Sequence, residues 1–316
     1  MKKPFTGPMG QMMKRYLLLH RSFGLGLRSV DGVLNAFDQY LEVHFPRVKQ
    51  ITRKMVVGYL ETTHHLRSTT RWNRVTLIRQ FCRFLFHLNP KTYIPEKGLL
   101  PPPKVERRPH IYSETELQSI LGLTRQLGPP QSLRPHTFTT IFALLWVSGM
   151  RISEVLHLNL GDVDLETGVI YIRQTKFLKS RLIPLSSSST MALWQYRNQR
   201  ARYGHSRHST APFLVNQRGK RCGLRGIQHG FCNIVQQLGI KTAQGRIPRI
   251  HDFRHSFATR WLNEIYKSGK DPTAYLPILA TYLGHANVSH TQVYLHPSLE
   301  LLQTAGRQFG NHVHQL

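Results

Sequence analysis

The sequence predicts a mainly α protein of two domains. The first is an N-terminal helical bundle; the second is a mixed α/β domain, mostly helical with a small antiparallel sheet. Three observations carry this reading. Through the first hundred residues apolar side chains recur near a 3.6-residue period and no strand pattern appears. Three consecutive prolines, Pro101 to Pro103, then interrupt the chain with a segment that joins no helix. Only beyond them does one short alternating, β-branched stretch occur, with helical patterns on both sides. At 316 residues each domain is long enough to bury its own core, and the boundaries fall at 1–98, a proline-rich linker at 99–111, and 112–316.

Taken in order, the first domain offers VDGVLNAFDQYLEVHF, with apolar residues at 30, 33, 34, 37, 40, 41 and 43. ITRKMVVGYLETT and RWNRVTLIRQFCRFLFHL follow in the same style, and the last carries Arg71, Arg74, Arg79 and Arg83. That basic set reads either as a solvated helix face or as contacts to a nucleic-acid backbone. After the linker, Ser113-Glu-Thr-Glu116 forms a capping box for the helix ETELQSILGLT. HTFTTIFALLWVSG is a buried helix ended by Gly149. GVIYIRQTKFLKSRLIPLS is the strand pair, its loop around TKFLK. Helices through STMALWQYRNQRARYG, GLRGIQHGFCNIVQQLGI, RHSFATRWLNEIYKSG and PTAYLPILATYLGH complete the chain.

Charge narrows the function. There are 43 Lys and Arg against 16 Asp and Glu, a net charge of +27, and residues 1–100 alone hold 17 basic and 5 acidic side chains. Such an excess opposes compaction, so a polyanionic partner is the natural reason to keep it, and nucleic acid leads. The longest strictly apolar run, IFALLWV, is seven residues, far short of the ~20 that span a bilayer. The N-terminus does not read as a signal peptide. Three scattered cysteines, Cys82, Cys222 and Cys232, suit a reducing, cytoplasmic compartment. Cys222, His229 and Cys232 lack a regularly spaced fourth ligand, so no metal is expected.

The chemistry is concentrated in four stretches. Attack on a phosphodiester by a side-chain oxygen gathers charge on two non-bridging oxygens, which guanidinium forks suit. It also needs a proton for the departing oxygen and a nucleophile held in line. SGMRISEVLHL places Arg151 at a helix start with Glu154 three residues on, where it can orient a basic partner. RIHDFRHSFATR puts His251 and Arg254 on one helical face, with His255 turned away. Lys176 sits in the strand-pair loop, and YLGHANVSHTQVYLH sets His285 nine residues before Tyr294. Singly these are ordinary: an ion pair, a solvated lysine, a core tyrosine. Their conjunction on a +27 chain is not.

From about residue 112 to 300 the chain resembles the catalytic domain of the tyrosine recombinases, or phage integrase family, in the style of bacterial integrases and Xer-type recombinases. SGMRISEVLHLNLGDVDL, TKFLKSRLIPL, HDFRHSFATRWL and LGHANVSHTQVYLH carry the likeness. The N-terminal helices resemble the family's core-binding, SAM-like domain in architecture and position. The resemblance implies that Arg151 and Arg254 clamp the scissile phosphate and His251 hydrogen-bonds it. His285 takes the second imidazole position, Lys176 protonates the leaving 5′-oxygen, Tyr294 attacks to form a 3′-phosphotyrosyl link, and Glu154 supports the pocket. Phe177-Leu178 replace the small residues common after that lysine, which leaves Lys179 as an alternative donor; Lys176 has the family's spacing to Arg181. Either His251 or His285 would accept the phenolic proton. No cofactor is implied.

The expected partner is a double-stranded DNA recombination site, bound by a tetramer across two sites. Helper proteins are left open, and no membrane is involved. Integration or transposition of a mobile element is the expected task, in a bacterial, nucleoid-associated setting, with Xer-type dimer resolution as the alternative. Leu299 to Leu302 of the C-terminal tail would dock on a neighbouring protomer or pack in cis. Competing classes are a non-catalytic DNA-binding relative, a type IB topoisomerase-like strand-passing enzyme, and a metal-dependent relaxase. The last lacks clustered ligands, since Thr63-His64-His65 lies far from Tyr294 in sequence.

Overall fold

The computed structural model describes residues 5–22, 28–103, 108–129, 131–173, 180–285, 287–292 and 294. They fall into two compact units, one before residue 108 and one from Arg108 onward.

The first unit is built from α1 (Gly10–Ser22), α2 (Arg28–His44), α3 (Arg53–Glu61) and α4 (Ser68–Leu88). Three of these match the periodic segments; α1 lies before them. It forms because Met13, Tyr16 and Leu17 share one face and bury it, while Leu18 and Leu19 stay exposed. They join Leu34, Phe37, Leu41, Val56, Tyr59, Ile78 and Phe81 in one core. Asp38 lies within that core and accepts the Gly7 and Met9 N–H groups at 2.9 and 3.1 Å, fixing the entry into α1. Burial raises its carboxyl pKa against the pull of those two bonds.

The arginines of α4 do not share one role. Arg79 is buried, its Nε and Nη2 donating to the carbonyls of Pro95 and Glu96 at 2.7 and 2.8 Å. It clamps the segment after α4 with these two nitrogens, an anchoring role that the sequence did not announce. Arg71 and Arg74 are half-buried, donating to the Leu60 carbonyl and the Tyr59 hydroxyl at 3.4 and 3.0 Å. Arg83 is exposed.

The second unit centres on α6 (Arg134–Ser148), apolar nearly all round, against which α5 (Glu114–Arg125), α8 (Ser187–Arg202) and α10 (Asp252–Lys267) pack. The capping box of α5 forms as read: Ser113 Oγ accepts from the Glu116 N–H at 3.1 Å, and the Glu116 carboxylate accepts from the Ser113 N–H at 2.9 Å. Between α6 and α8 run α7 (Ile152–His157) and a three-stranded antiparallel sheet of β1 (Val163–Asp164), β2 (Val169–Ile172) and β3 (Arg181–Pro184). The register pairs Ile170 with Ile183 and Ile172 with Arg181. Ile170, Ile172 and Ile183 face the core, while Tyr171 and Leu182 point outward. The unit is completed by α9 (Leu224–Gln237), α11 (Pro272–Leu283) and α12 (Ser289–Gln292). Tyr112, Phe142, Phe231 and Phe253 form an aromatic cluster, with Tyr112 stacked on Phe253 at 4.5 Å. The Tyr112 N–H also donates to Ser256 Oγ at 2.8 Å, so one residue holds the first turns of α10 by both ring and backbone. Among the described residues no helix is long and apolar enough to cross a membrane.

Candidate active site

Two helix ends and two helix starts meet at one place. The chain leaves α6 through Gly149, whose φ of 59° is left-handed; a Cβ there would lie 2.4 Å from Phe257 Cδ1. The turn delivers Arg151 to the start of α7, where its N–H is held by Glu154 Oε2 at 2.8 Å. At the far end α11 stops on Gly284, φ 69°, whose added Cβ would press on Arg181 Nη1 at 2.8 Å. The His285 N–H then bonds back to the Ala280 carbonyl at 2.9 Å.

Glu154 joins two cations. Its carboxylate accepts from Arg151 Nη1 at 2.8 Å and takes both Arg181 nitrogens, at 3.0 and 2.7 Å. Burial pushes the Glu154 carboxyl upward, but the hydrogen bonds and charge of Arg181, together with Arg151, outweigh it and hold its pKa below the ordinary value. Arg151 Nη2 reaches the Gly284 carbonyl at 3.2 Å, which ties the start of α7 to the end of α11.

Arg254, on the first turn of α10, is 1% exposed. Nη1 donates to the Gly149 carbonyl at 3.0 Å and Nη2 to the Leu283 carbonyl at 2.5 Å. Among the described residues no carboxylate pairs with it. Burial, then the neighbouring charge of Arg151, lowers its pKa to about 10, so it stays protonated at neutral pH. A desolvated cation lacking an anionic partner is costly to fold around, and an incoming anion would offset that cost.

Tyr294 joins both readings of its residue type. Its ring packs with Ala258, Leu262, Leu276, Leu279 and Leu283, and only 6% of the residue is exposed. Its phenol lies within electrostatic reach of the Arg254 guanidinium. Burial raises the phenolic pKa, while Arg254 and Arg151 oppose the rise by stabilising the phenolate. The His285 ring lies nearly parallel to that of Tyr294, 6.2 Å between centroids, and its Nδ1 bonds Thr291 Oγ1 at 2.8 Å. His251 stands at the N-cap of α10 with solvent access. Even so, the surrounding protein and then Arg254 and Arg249 hold its imidazole below the ordinary value.

Arg151, Glu154, His251, Arg254, His285 and Tyr294, spread over 144 positions of sequence, therefore surround one point. Lys176 and Lys179 lie outside the described residues, as does the Leu299–Leu302 stretch. Two residues were undervalued by sequence. Arg181, read only as a spacing marker, is the bidentate partner of Glu154. His255 does not turn away: its ring meets that of Tyr294 at 5.3 Å and that of His251 at 5.1 Å. The signal was its i, i+4 spacing from His251, which places both on one face.

Comparison with known proteins places the chain in a family. The model of the phage integrase family matches residues 112–300. A putative integrase/recombinase, y4rB, of Sinorhizobium fredii is 34% identical over 302 residues, covering 94% of this chain and 96% of the relative. Tyrosine recombinase XerC of Bacillus subtilis is 31% identical over 235 residues, covering 73% and 71%. Among solved structures, the Tn1549 transposon integrase in complex with a circular intermediate DNA superposes with a TM-score of 0.65 at 18% identity, covering 94% of this chain and 99% of that one.

Proposed function

This chain belongs to the phage integrase family of tyrosine recombinases, which cleave and rejoin DNA strands, and from that premise we propose that Tyr294 is its nucleophile. The phenolic oxygen attacks a DNA phosphorus and the bond to the 5′-oxygen breaks. The 3′ end is left esterified to Tyr294. Arg151 and Arg254 hold the two non-bridging oxygens and His251 hydrogen-bonds one of them. His285 braces the phenol, and Lys176 gives its proton to the leaving 5′-oxygen. The phenolic proton passes to an imidazole, His251 or His285. Glu154 takes no part in the proton traffic; it keeps Arg151 and Arg181 in place. Attack by a second 5′-hydroxyl reverses these transfers on another strand, so the bond energy is conserved.

The observation that carries this reading is a buried guanidinium, Arg254, with no carboxylate partner among the described residues and a tyrosine hydroxyl at its edge. The test is covalent capture on a nicked duplex. The unaltered chain should give a chelator-insensitive adduct, and Tyr294→Phe should abolish it while DNA binding persists. Adduct formation by Tyr294→Phe overturns the assignment.

The substrate is a double-stranded recombination site. Two copies of it are bridged by a tetramer, and the N-terminal unit contributes backbone contacts through Arg83 and the free edges of Arg71 and Arg74. The task is movement of a mobile element. Support comes from the integrase/recombinase relative that aligns over nearly the whole of both chains. The XerC relative favours a second reading, resolution of chromosome dimers in the bacterial nucleoid. Mapping covalent capture sites on genomic DNA separates the two: element ends favour the first, a single chromosomal site the second.

A further inference from the structure

We propose that His255 is a positioning residue for the reaction, the brace that sets the Tyr294 ring against the phosphate side of the site. This rests on the reading of Tyr294 as nucleophile. His251, His255 and Tyr294 form a row of three rings, each meeting the next edge to face, at 5.1 Å and 87° and then 5.3 Å and 64°. Such contacts are directional, unlike aliphatic packing, so they fix ring orientation as well as distance. The nearly parallel His285 ring completes the enclosure of the phenol. The brace is mounted on a rigid element, since the neighbouring Ser256 is tied to Tyr112 and to the Asp252 carbonyl.

Stability alone does not explain a histidine here. Nδ1 of His255 is buried with no hydrogen-bond partner among the described residues. A buried polar atom left unmatched destabilises a fold, whereas an apolar ring of similar shape would not. Nor does His255 suit a general base. The groups facing it are His251, Asp252, Arg249, Arg254 and Tyr294, and burial, then the first of these, lowers its pKa to about 4. It is neutral at physiological pH and too weak a base for a phenol. What it offers Tyr294 is placement, without adding charge beside Arg254.

The test uses the full-length chain and a nicked duplex recovered from a random-sequence pool by covalent capture on the unaltered protein. His255→Ala should slow adduct formation at saturating DNA by between about ten- and a hundredfold, the scale of a misplaced nucleophile, with non-covalent affinity unchanged. His255→Leu fills the space without a ring edge, keeps the fold intact and should be equally slow. His255→Phe should restore most of the rate and melt at a higher temperature than the parent. Unaltered rates in the Ala and Leu variants, or a Phe variant no faster than Leu, overturn the proposal. If the unaltered chain captures no duplex, or Tyr294→Phe still forms an adduct, the nucleophile reading itself has failed and the role of His255 falls with it.

Discussion

Replacing Glu154 by glutamine tests whether one carboxylate holds the site together. The group is 8% exposed and accepts four hydrogen bonds, two from Arg151 and two from Arg181. An amide of the same size keeps one acceptor oxygen and turns an NH2 group toward a guanidinium, so part of the set becomes donor against donor. It also leaves Arg181, 10% exposed, beside Arg151, 32% exposed, with no charge between them. Removing one partner of a buried pair costs about 3–5 kcal/mol. Solvent screens the Arg151 half, so about 3 kcal/mol is the expected loss. In a unit of roughly 200 residues, where 1 kcal/mol moves Tm by about 2–4 °C, that is a drop of about 6–12 °C.

The pH dependence supplies a second arm. The folded Glu154 pKa is depressed, since Arg181 and Arg151 outweigh the upward push of burial. Its contribution is therefore complete above the unfolded glutamate value of ~4.3 and is lost as pH falls through the lower folded value. Glutamine has no such contribution to lose. In calorimetric melts the gap between parent and Glu154→Gln should be full near neutral pH and narrow below ~4.3. A Tm within about 2 °C of the parent, or a gap that does not narrow in acid, refutes the reasoning. Replacing Glu154 and Arg181 together by leucine and methionine should recover part of the loss, because no lone charge is then buried.

Gly149→Ala should lose stability twice, about 1–2 kcal/mol for the left-handed backbone and about 1–3 kcal/mol for crowding Phe257. It should also slow adduct formation by shifting the carbonyl that Arg254 grips; an unchanged urea midpoint and rate would sink this. Arg83→Ala should reduce the slope of log affinity against log salt by about one without moving Tm. Arg79→Ala should do the opposite, lowering Tm and sparing the slope, as fluorescence titration of a labelled duplex and melts would show.

Most elements were legible because periodicity and end signals report local physics. Ser113 and Glu116 cap each other as their spacing requires, Gly149 ends α6, and the β-branched alternation pairs in register. What escaped depends on distant partners. The spacing of Arg79 in α4 does not reveal that carbonyls at 95 and 96 take its Nε and Nη2. Likewise the segment of α1 reads as a helix only once Met13, Tyr16 and Leu17 have a core to enter.

The same limit governs the site, and explains what the fold adds to a list of candidate residues. With 43 basic side chains and 16 acidic ones, most cations of this chain have no carboxylate to pair with, so lacking one distinguishes none of them. Burial alone does not either, because Arg79 and Arg200 are buried and donate to carbonyls. Arg254 differs in combining burial and, among the described residues, the absence of a paired carboxylate with a second guanidinium nearby, that of Arg151, and a phenol at its edge. Two cations brought together, Arg254 buried and Arg151 partly exposed, repel each other, and the carboxylate of Glu154 is committed to Arg151 and Arg181. An anion entering between them would relieve that repulsion, and the Tyr294 phenol stands beside that seat.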